Sequence, residues 1–326
     1  MNRRRAAGEK RGGRQLIQGG MALLLVGGLA STLPGFTAER PVPGAVAAGR
    51  IETIAGGGPV GDGGPATAAQ LSLPGGLSIA PDGALVIVDF GHHRIRRVDP
   101  RTGIISTIVG TGEAGFNGDG IPANRAQISR PEYAAYGPQG ALFVVDEYNH
   151  RIRRVDGKTG IITTIAGYGA RGFGGDGGPA LRALFHQPEG IAVDAAGNLY
   201  IGDTLNSRVR KIDGKTGIVT TVAGSGDLGT SPAGTPGTEA SFLRIARLVS
   251  DPKGNLYIAD SPAQKIFRLD AGTGRLSIAA GNGEAGFSGD GGAATAARIS
   301  FPEGPTLDSA GNLYFCDLGN HRVRRV

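Results

Sequence analysis

The sequence is poor in the residues that common catalytic and structural sites require. It contains one cysteine, Cys316, so the chain cannot form an internal disulfide bond or a paired-cysteine zinc site. This thiol lies in the apolar run LYFCD, and we expect it to be buried and inert. We recognise no Walker loop, dinucleotide fingerprint or Ser-His-Asp arrangement, and the many GxG strings are typical of turns. The sequence therefore predicts no catalytic residue, no bound metal and no cofactor.

Long apolar runs are also missing. The most apolar segment, residues 21–33, is too short to span a bilayer comfortably, and two glycines weaken it as a helix. An arginine-rich stretch precedes it, which is the arrangement of an export signal. We therefore predict an export signal and flexible leader over residues 1–48, with a small-x-small cleavage pattern at residues 45–47. The protein is then periplasmic or extracellular, and we expect membrane attachment only through an uncleaved leader.

An excess of basic charge is missing from the folded part of the chain. The whole sequence has a formal net charge of +6, but residues 1–50 hold eight Lys or Arg against two Asp or Glu. The remainder is neutral, with 26 basic and 26 acidic side chains. Because no basic stripe is left to neutralise phosphates, we expect no nucleic-acid partner.

What the sequence does contain is a repeat of 57 residues. Residues 188–224 show one complete copy, with four short runs rich in Val, Ile, Leu or Tyr that are bounded by Gly, Asp or Asn. Each run predicts a β-strand, and four strands per repeat are typical of a propeller blade. We therefore predict an all-β fold, a β-propeller of four-stranded blades, over residues 49–326.

The ends of the repeat array predict how the ring closes. Runs equivalent to the first three strands occur five times, and the last copy stops at Val326 after its third run. Residues 51–56 align with the fourth run of the complete copy, at residues 219–224. We therefore predict five blades, closed by the N-terminal strand completing the last blade, since closure removes exposed sheet edges. Six blades are the alternative.

The turn after each second strand carries a family resemblance. The segments GHHRIRRVD, YNHRIRRVD, LNSRVRKID and GNHRVRRV, each preceded by an apolar run ending in Asp, resemble NHL repeats, and the resemblance covers nearly everything after residue 50. It implies a β-propeller, most often six-bladed. It implies little about function, because one fold hosts many functions.

An aspartate closes the second strand of every blade. We expect a structural role for it, because its carboxylate can bond turn amides or the Arg five residues later, as in Asp146 with Arg151. These residues are Asp89, Asp146, Asp203, Asp260 and Asp317. A histidine follows in three of the same turns, and we expect it to be structural or to contribute to a binding face. These residues are His93, His150 and His321.

A glycine-rich insert links successive blades. Its second half, as in GPALRAL at residues 178–184, predicts one short helix per insert. An aspartate precedes each helix and is expected to cap it, at Asp62, Asp119, Asp176 and Asp290. A phenylalanine is expected to anchor three inserts, at Phe116, Phe173 and Phe287. Exposed arginines are expected to offer guanidinium groups to carboxylate-bearing partners, at Arg125, Arg171, Arg182 and Arg298.

A glutamate precedes the first strand in three blades. First strands line the central channel of a propeller, so these carboxylates are expected near its mouth, at Glu132, Glu189 and Glu303. The position resembles that at which propeller lactonases hold a catalytic metal. Two blades carry Gly75 and Ala246 instead.

Two functions are compatible with these features. The first is a non-enzymatic, exported binding or scaffold propeller that presents its inter-blade loops on one face to a protein or carbohydrate partner. The alternative is a metal-dependent lactonase, hydrolase or lyase that uses the channel carboxylates. Such enzymes break the symmetry of the blades at the site, whereas here we interpret the fourth blade as only losing features, since it replaces the NHR turn with residues 261–265. We therefore favour the binding propeller.

Overall fold

A computed structural model describes residues 52–59 and 61–326. Within this part of the chain, no helix is long and apolar enough to cross a membrane. The predicted leader over residues 1–48 lies outside the described residues. The described chain is all-β and forms five antiparallel blades, so the predicted β-propeller architecture is confirmed.

Successive strands of each blade are neighbours in its sheet, except that the short β5 of blade 2 pairs with β9. Blade 1 contains β1 (Pro74–Ile79), β2 (Leu85–Asp89), β3 (Arg94–Val98) and β4 (Ile105–Val109). Blade 2 contains the short edge strand β5 (Ile121–Pro122), β6 (Pro131–Tyr136), β7 (Leu142–Asp146), β8 (Arg151–Val155) and β9 (Ile161–Ala166). Blade 3 contains β10 (Pro188–Val193), β11 (Leu199–Asp203), β12 (Arg208–Ile212) and β13 (Val219–Ala223). Blade 4 contains β14 (Ile245–Ser250), β15 (Leu256–Asp260), β16 (Lys265–Leu269) and β17 (Leu276–Ala280). Blade 5 contains β18 (Pro302–Leu307), β19 (Leu313–Asp317) and β20 (Arg322–Arg325).

The apolar core lies between blades. Strand residues alternate between two faces, and one face of each blade packs on the blade before it. Val86 and Val88 of blade 1, for example, share a buried cluster with Ala134 and Val144 of blade 2. Corresponding clusters join blades 2 and 3, blades 3 and 4, and blades 4 and 5. Each blade is therefore stabilised by its neighbours rather than by a core of its own.

The helices are single 3-10 turns. The inserts contain Ala66–Ala68, Ala123–Arg125, Ala180–Arg182, Gly237–Glu239 and Ala294–Ala296. The turns after second strands contain Phe90–His92, Glu147–Asn149, Thr204–Asn206 and Leu318–Asn320, and blade 2 adds Pro138–Gly140. None of these described turns has a side-chain N-cap, so the predicted capping by insert aspartates is wrong.

The insert aspartates instead form ion pairs with a buried arginine. Arg153 is fully buried, and its guanidinium lies 2.9 Å from Asp119 of the insert and 3.4 Å from Asp146. Asp146 also accepts a 2.7 Å bond from the amide of Ser129. The arginine that contacts the repeat aspartate therefore lies seven residues later, not five as predicted for Arg151. The same carboxylate–arginine–carboxylate unit occurs in three further blades, with Arg96, Arg210 and Arg324 at its centre.

Arg151 packs on the insert phenylalanine. Its guanidinium lies 4.1 Å from the centroid of the Phe116 ring, and that of Arg153 lies 4.8 Å from it. Phe173 and Phe287 receive equivalent pairs of arginines. The three rings therefore anchor the inserts through cation–π contacts while one side of each ring stays exposed.

The junction between blade 5 and blade 1 is open. The first strands of neighbouring blades pack together throughout blades 1 to 5, whereas β18 does not pack on β1 in this way. On the face of blade 1 that is turned away from blade 2, a buried cluster includes Ile87 and Ile105. It has no member from blade 5. Facing the opening, Ile79 of blade 1 is 48% exposed and Val323 of blade 5 is 57% exposed.

The predicted closure by residues 51–56 is therefore wrong. Glu52 to Gly56 are not in a strand, and blade 5 has three strands in the described residues. Gly56 donates a 2.9 Å bond to the carbonyl of Ala66, and Ala55 packs on the cluster of blade 1. The segment thus stays with blade 1, and β20 is out of its reach because blade 5 does not adjoin blade 1.

Candidate functional site

The three glutamates predicted at the channel mouth come together around two arginines of blade 4. Arg247 lies 2.6 Å from Glu132, and Arg244 lies 2.6 Å from Glu189 and 3.5 Å from Glu303. Each carboxylate is thus held by a guanidinium. Among the described residues, no group of three His, Cys, Asp or Glu side chains is placed to hold a metal ion.

A glycine of blade 1 makes room for two large side chains in the channel. Tyr133 and Arg247 occupy one repeat position, at which the other blades carry Gly76, Gly190 and Gly304. A Cβ atom on Gly76 would lie 2.3 Å from the ring of Tyr133 and 3.1 Å from the guanidinium of Arg247. The Arg247 guanidinium lies 4.9 Å from the centroid of the Tyr133 ring. The channel is therefore closed beneath its mouth by this pair.

Glu147 is a further acid at the mouth, at a position where blades 3 and 4 have a hydroxyl and blades 1 and 5 have an apolar residue. Thr204 donates a 2.7 Å bond to the carbonyl of Ile245, the first residue of the next blade's first strand. Ser261 donates 2.8 Å bonds to the carbonyl of Pro302 and to the carboxylate of Glu303. By the 57-residue repeat, Glu147 and Glu189 are the counterparts of Ser261 and Glu303. The repeat therefore places Glu147 at the blade 2–blade 3 junction, close to the carboxylates of Glu132 and Glu189.

The described structure gives Glu147 no partner for its carboxyl group. The residue is only 7% exposed, and its side chain makes no hydrogen bond or ion pair among the described residues. Burial, together with the nearby Glu132 and Glu189 carboxylates, raises the pKa of Glu147 to about 9. Glu147 is thus protonated at neutral pH.

The pKa values of Glu189 and Glu132 are shifted in the same direction. Burial raises the pKa of Glu189 to about 7, although Arg244 opposes the change. Burial also raises the pKa of Glu132, against the effect of Arg247. The mouth is therefore a desolvated cluster in which burial favours the protonated carboxyl groups and the arginines favour the ionised ones.

Exposed apolar side chains surround this charged centre. They come from the residues just before first strands and from the turns after second strands. They are Leu73, Tyr148, Leu205, Leu243 and Phe301. Arg130 lies over the Tyr148 ring, 4.9 Å from its centroid, and donates a 3.2 Å bond to its hydroxyl. We call these five apolar residues the rim. A polar centre inside an exposed apolar rim is typical of a recognition surface.

Two of the three predicted binding-face histidines brace neighbouring blades. The Nδ1 atom of His93 accepts a 3.1 Å bond from the amide of Arg130, and that of His150 accepts a 3.3 Å bond from the amide of Gln187. Burial lowers the pKa of both rings, which favours the neutral form that can accept these bonds. His321 is exposed and faces the open junction, where the described chain supplies no next blade.

The predicted arginines lie on the inserts, away from the glutamate cluster. Arg125 and Arg182 are exposed in equivalent 3-10 turns, and Arg171 is exposed earlier in its insert. Arg298 is two residues past the equivalent position, where its guanidinium donates a 2.6 Å bond to the carbonyl of Ala285. The three inserts therefore do not present a regular ring of guanidinium groups.

Sequence reasoning missed Glu147, Arg244 and Arg247. Glu147 and Arg247 are single charged residues at repeat positions where the other blades carry uncharged residues. Arg244 shares its repeat position with Arg130 of blade 2. Comparing the five copies column by column would have found Glu147 and Arg247. Blade 4 thus gains two charged groups at the mouth, and the interpretation that it only loses features is wrong.

Comparison with known proteins adds a family context. A sequence profile of the Teneurin NHL domain matches residues 169–248. NHL repeat-containing protein 2 of Bos taurus is 28% identical over 62% of this chain, and Teneurin-4 of Mus musculus is 26% identical over 79% of it. The chain spans only 31% and 12% of the lengths of these two relatives.

Among solved structures, the Nidogen/Laminin complex contains a chain of similar fold. The TM-score is 0.52 with 18% sequence identity, covering 78% of this chain and 76% of that one. At this identity, the similarity concerns the fold alone.

Proposed function

Since the chain belongs to the NHL-repeat β-propeller family, we propose that it is a non-enzymatic binding propeller whose channel mouth recognises a protein or carbohydrate partner. The observation that carries this proposal is the rim of exposed apolar residues around a buried cluster of charges. Aromatic and arginine side chains around a desolvated centre are the usual composition of binding hot spots.

The geometry favours binding over metal-dependent hydrolysis. A catalytic metal requires carboxylates with free oxygen atoms, whereas Glu132 and Glu189 each lie 2.6 Å from a guanidinium. Removing these arginines from the carboxylates would leave buried charges unpaired. The solved Nidogen/Laminin complex is also consistent with a propeller of this kind presenting a face to another protein.

A site-specific crosslinking experiment tests the proposal. A photoreactive residue replaces Leu205 at the rim or, as the matched control, Lys215 in the β12–β13 connection. Because the strands are antiparallel, these two connections lie at opposite ends of the blade and therefore on opposite faces of the propeller. We expect a discrete adduct with an exterior protein or polysaccharide from position 205, lost with Tyr148→Ala, and none from position 215. Equal adducts from both positions, or lactone hydrolysis that Glu189→Gln abolishes, would contradict the proposal.

We further propose that the mature protein is exported without its leader. The arginine-rich and apolar segments within residues 1–33 support this. N-terminal sequencing of protein from the periplasm or the medium should give a chain that begins well after Met1. An exterior protein that retains Met1 would be incompatible with cleavage.

A further inference from the structure

We propose that the channel mouth binds a cationic group of the partner, an ammonium or a guanidinium, between Glu147 and Glu189. The inference rests on the binding function proposed above and names the chemistry that the mouth recognises.

The first support is the orphaned carboxyl group of Glu147. A carboxyl group on a largely buried side chain usually has a partner in the protein, and one that meets only the remaining solvent at the mouth is open to a donor from outside. Glu147 is more than nine-tenths buried, yet its carboxyl group has no partner among the described residues. The equivalent Thr204 and Ser261 both bond the next blade, so a small hydroxyl would satisfy this position. A carboxyl group at this position is explained if its bonding partner comes from outside the chain.

The second support is the repeat position of Glu147, which lies close to Glu132 and Glu189. Ser261 lies 2.8 Å from Glu303, and Glu147 and Glu189 occupy the equivalent positions of their blades. Glu189 is itself largely buried and is one of two carboxylates that raise the pKa of Glu147. Two neighbouring carboxyl groups in a desolvated site cannot both ionise without a cation between them. In the free protein, a proton serves this purpose.

The third support is the charge that surrounds the pair. The groups facing it are Glu132 and Glu303, and the cations Arg130, Arg244 and Arg247. Arg244 forms ion pairs with Glu189 and Glu303, and Arg247 forms one with Glu132. Arg130 stacks between the rings of Phe90 and Tyr148. The Glu147 carboxyl group is thus the acid at the mouth that no cation of the described chain neutralises.

The rim fits the stem of a basic side chain. Tyr148 and Leu205 are 41% and 52% exposed and stand in the turns on either side of the blade 2–blade 3 junction. Lys and Arg side chains bury their methylene stems on apolar surface while their charged ends reach a polar partner. The exposed tyrosine ring adds a favourable contact for the cation. A lysine or arginine of a partner protein matches both features.

Exchange of a proton for a cation gives a distinctive calorimetric signature. The probes are Nα-acetyl-arginine amide and Nα-acetyl-lysine amide, and the neutral isostere Nα-acetyl-citrulline amide is the ligand control. Titration of the mature protein at pH 7 in two buffers of different ionisation enthalpy measures the protons released. We expect release approaching one proton per cation bound. Because one proton leaves, the apparent affinity should rise by up to about tenfold per pH unit from pH 6 to 8.

Variants locate the site. Glu147→Gln keeps the shape of the protonated acid but cannot release a proton. We expect it to weaken binding of the arginine probe about tenfold or more and to abolish proton release, as loss of a charge-assisted bond implies. Glu284→Gln, which changes an exposed insert carboxylate, should alter neither quantity. Melting curves confirm that both variants are folded.

Three outcomes would overturn the inference. They are binding of the citrulline probe as tight as that of the arginine probe, cation binding that Glu147→Gln leaves unchanged, and absence of cation binding. If rim-dependent crosslinking persists in any of these cases, only this inference fails and the binding function stands. If crosslinking is the same from positions 205 and 215, the binding function fails, whatever the calorimetry gives.

Discussion

Blades 3 and 4 are neighbours that use the same repeat in different ways. In blade 3, the buried Arg210 lies 3.2 Å from Asp203 and 2.7 Å from Asp176 of the insert. In blade 4, the arginine position carries Phe267 and the insert position carries Ala233. Blade 4 has therefore lost the arginine and the insert aspartate, and a T-shaped contact between Phe242 and Phe267 takes the place of the ion pairs. The buried Asp260 remains and accepts bonds from the amides of Leu243 and Arg244.

The same two blades differ in the opposite sense at the channel. Blade 4 provides Arg244 and Arg247, where blade 3 carries Gln187 and Gly190. The charge that blade 4 lacks in its interior is thus present at the mouth, where it holds the glutamates of three other blades. The comparison teaches that the repeated residues stabilise the fold, while departures from the repeat build the candidate site.

The largest effect should come from breaking the interior ion pair of blade 3. Arg210→Leu leaves Asp203 buried without its cation, and we expect a loss of about 3–5 kcal/mol in the free energy of unfolding. Phe267→Leu at the equivalent position of blade 4 should cost about 1 kcal/mol, because no charge is exposed to an apolar interior. Denaturant unfolding of the two variants measures the difference. Equal losses would show that the two interiors are energetically alike.

Removing the channel arginine should have an intermediate effect. Arg247→Met takes the cation from the largely buried Glu132, and we expect a loss of about 2 kcal/mol. The matched control is Arg97→Met, which removes an ion pair to the exposed Asp82 and should cost less than about 1 kcal/mol. Denaturant unfolding of the two variants, compared by midpoint and slope, measures the two losses. A control loss as large as that of Arg247→Met would argue against a desolvated channel.

A smaller effect of opposite sign is expected at Glu147. Its pKa is raised from 4.5 to about 9, so the folded state binds more protons than the unfolded state between these values, and stability falls as pH rises through that window. Glu147→Thr restores the hydroxyl found at Thr204. It should raise the free energy of unfolding by about 1 kcal/mol at pH 8 and flatten the fall between pH 6 and 9.

The pH dependence has an internal reference. Burial also raises the pKa of Asp146, Asp203 and Asp260 to about 6, so both proteins should lose stability between pH 4 and 6. The contribution of Glu147, from about pH 4.5 to 9, should be missing in Glu147→Thr, and it is seen most clearly above pH 6, where these aspartates no longer titrate. Identical curves for the parent and Glu147→Thr across pH 6 to 9 would refute the protonated state of Glu147.

The smallest effect should come from the insert arginines. Arg125→Glu and Arg182→Glu change exposed side chains, and we expect less than about 0.5 kcal/mol in stability. If the inserts also contact the partner, crosslinking from position 205 should weaken in these variants while the melting temperature stays constant. Unfolding of either variant would mean that these arginines have a structural role.

The sequence predicts most of the fold because each blade repeats its own turn chemistry. Asp89 and its four equivalents mark the end of every second strand, and the turn residues mark the strands on either side. The sequence could not predict the open junction, because residues 51–56 resemble a fourth strand whether or not blade 5 reaches them. Alignment of the repeats shows which strand of a blade each run forms. It does not give the angle between successive blades about the channel.

The candidate site was only partly predictable for a related reason. Glu132, Glu189 and Glu303 share a repeat position, so their convergence follows from the propeller fold. Arg244 and Arg247 act across the channel, and contact between blades that are not neighbours leaves no trace in the spacing of a repeat. The burial that changes the pKa of Glu147 likewise depends on the packing of blades 2 and 3.

A ¹³C-NMR pH titration of the glutamate carboxyl groups tests the central claim most directly. The chain has few glutamates, and Glu147→Gln and Glu189→Gln assign the two resonances of interest. If departures from the repeat build a desolvated recognition site, the Glu147 resonance should titrate with a pKa of about 9 and that of Glu189 with a pKa of about 7. Titration of both groups near 4.5, the ordinary value for an exposed glutamate, would contradict the account.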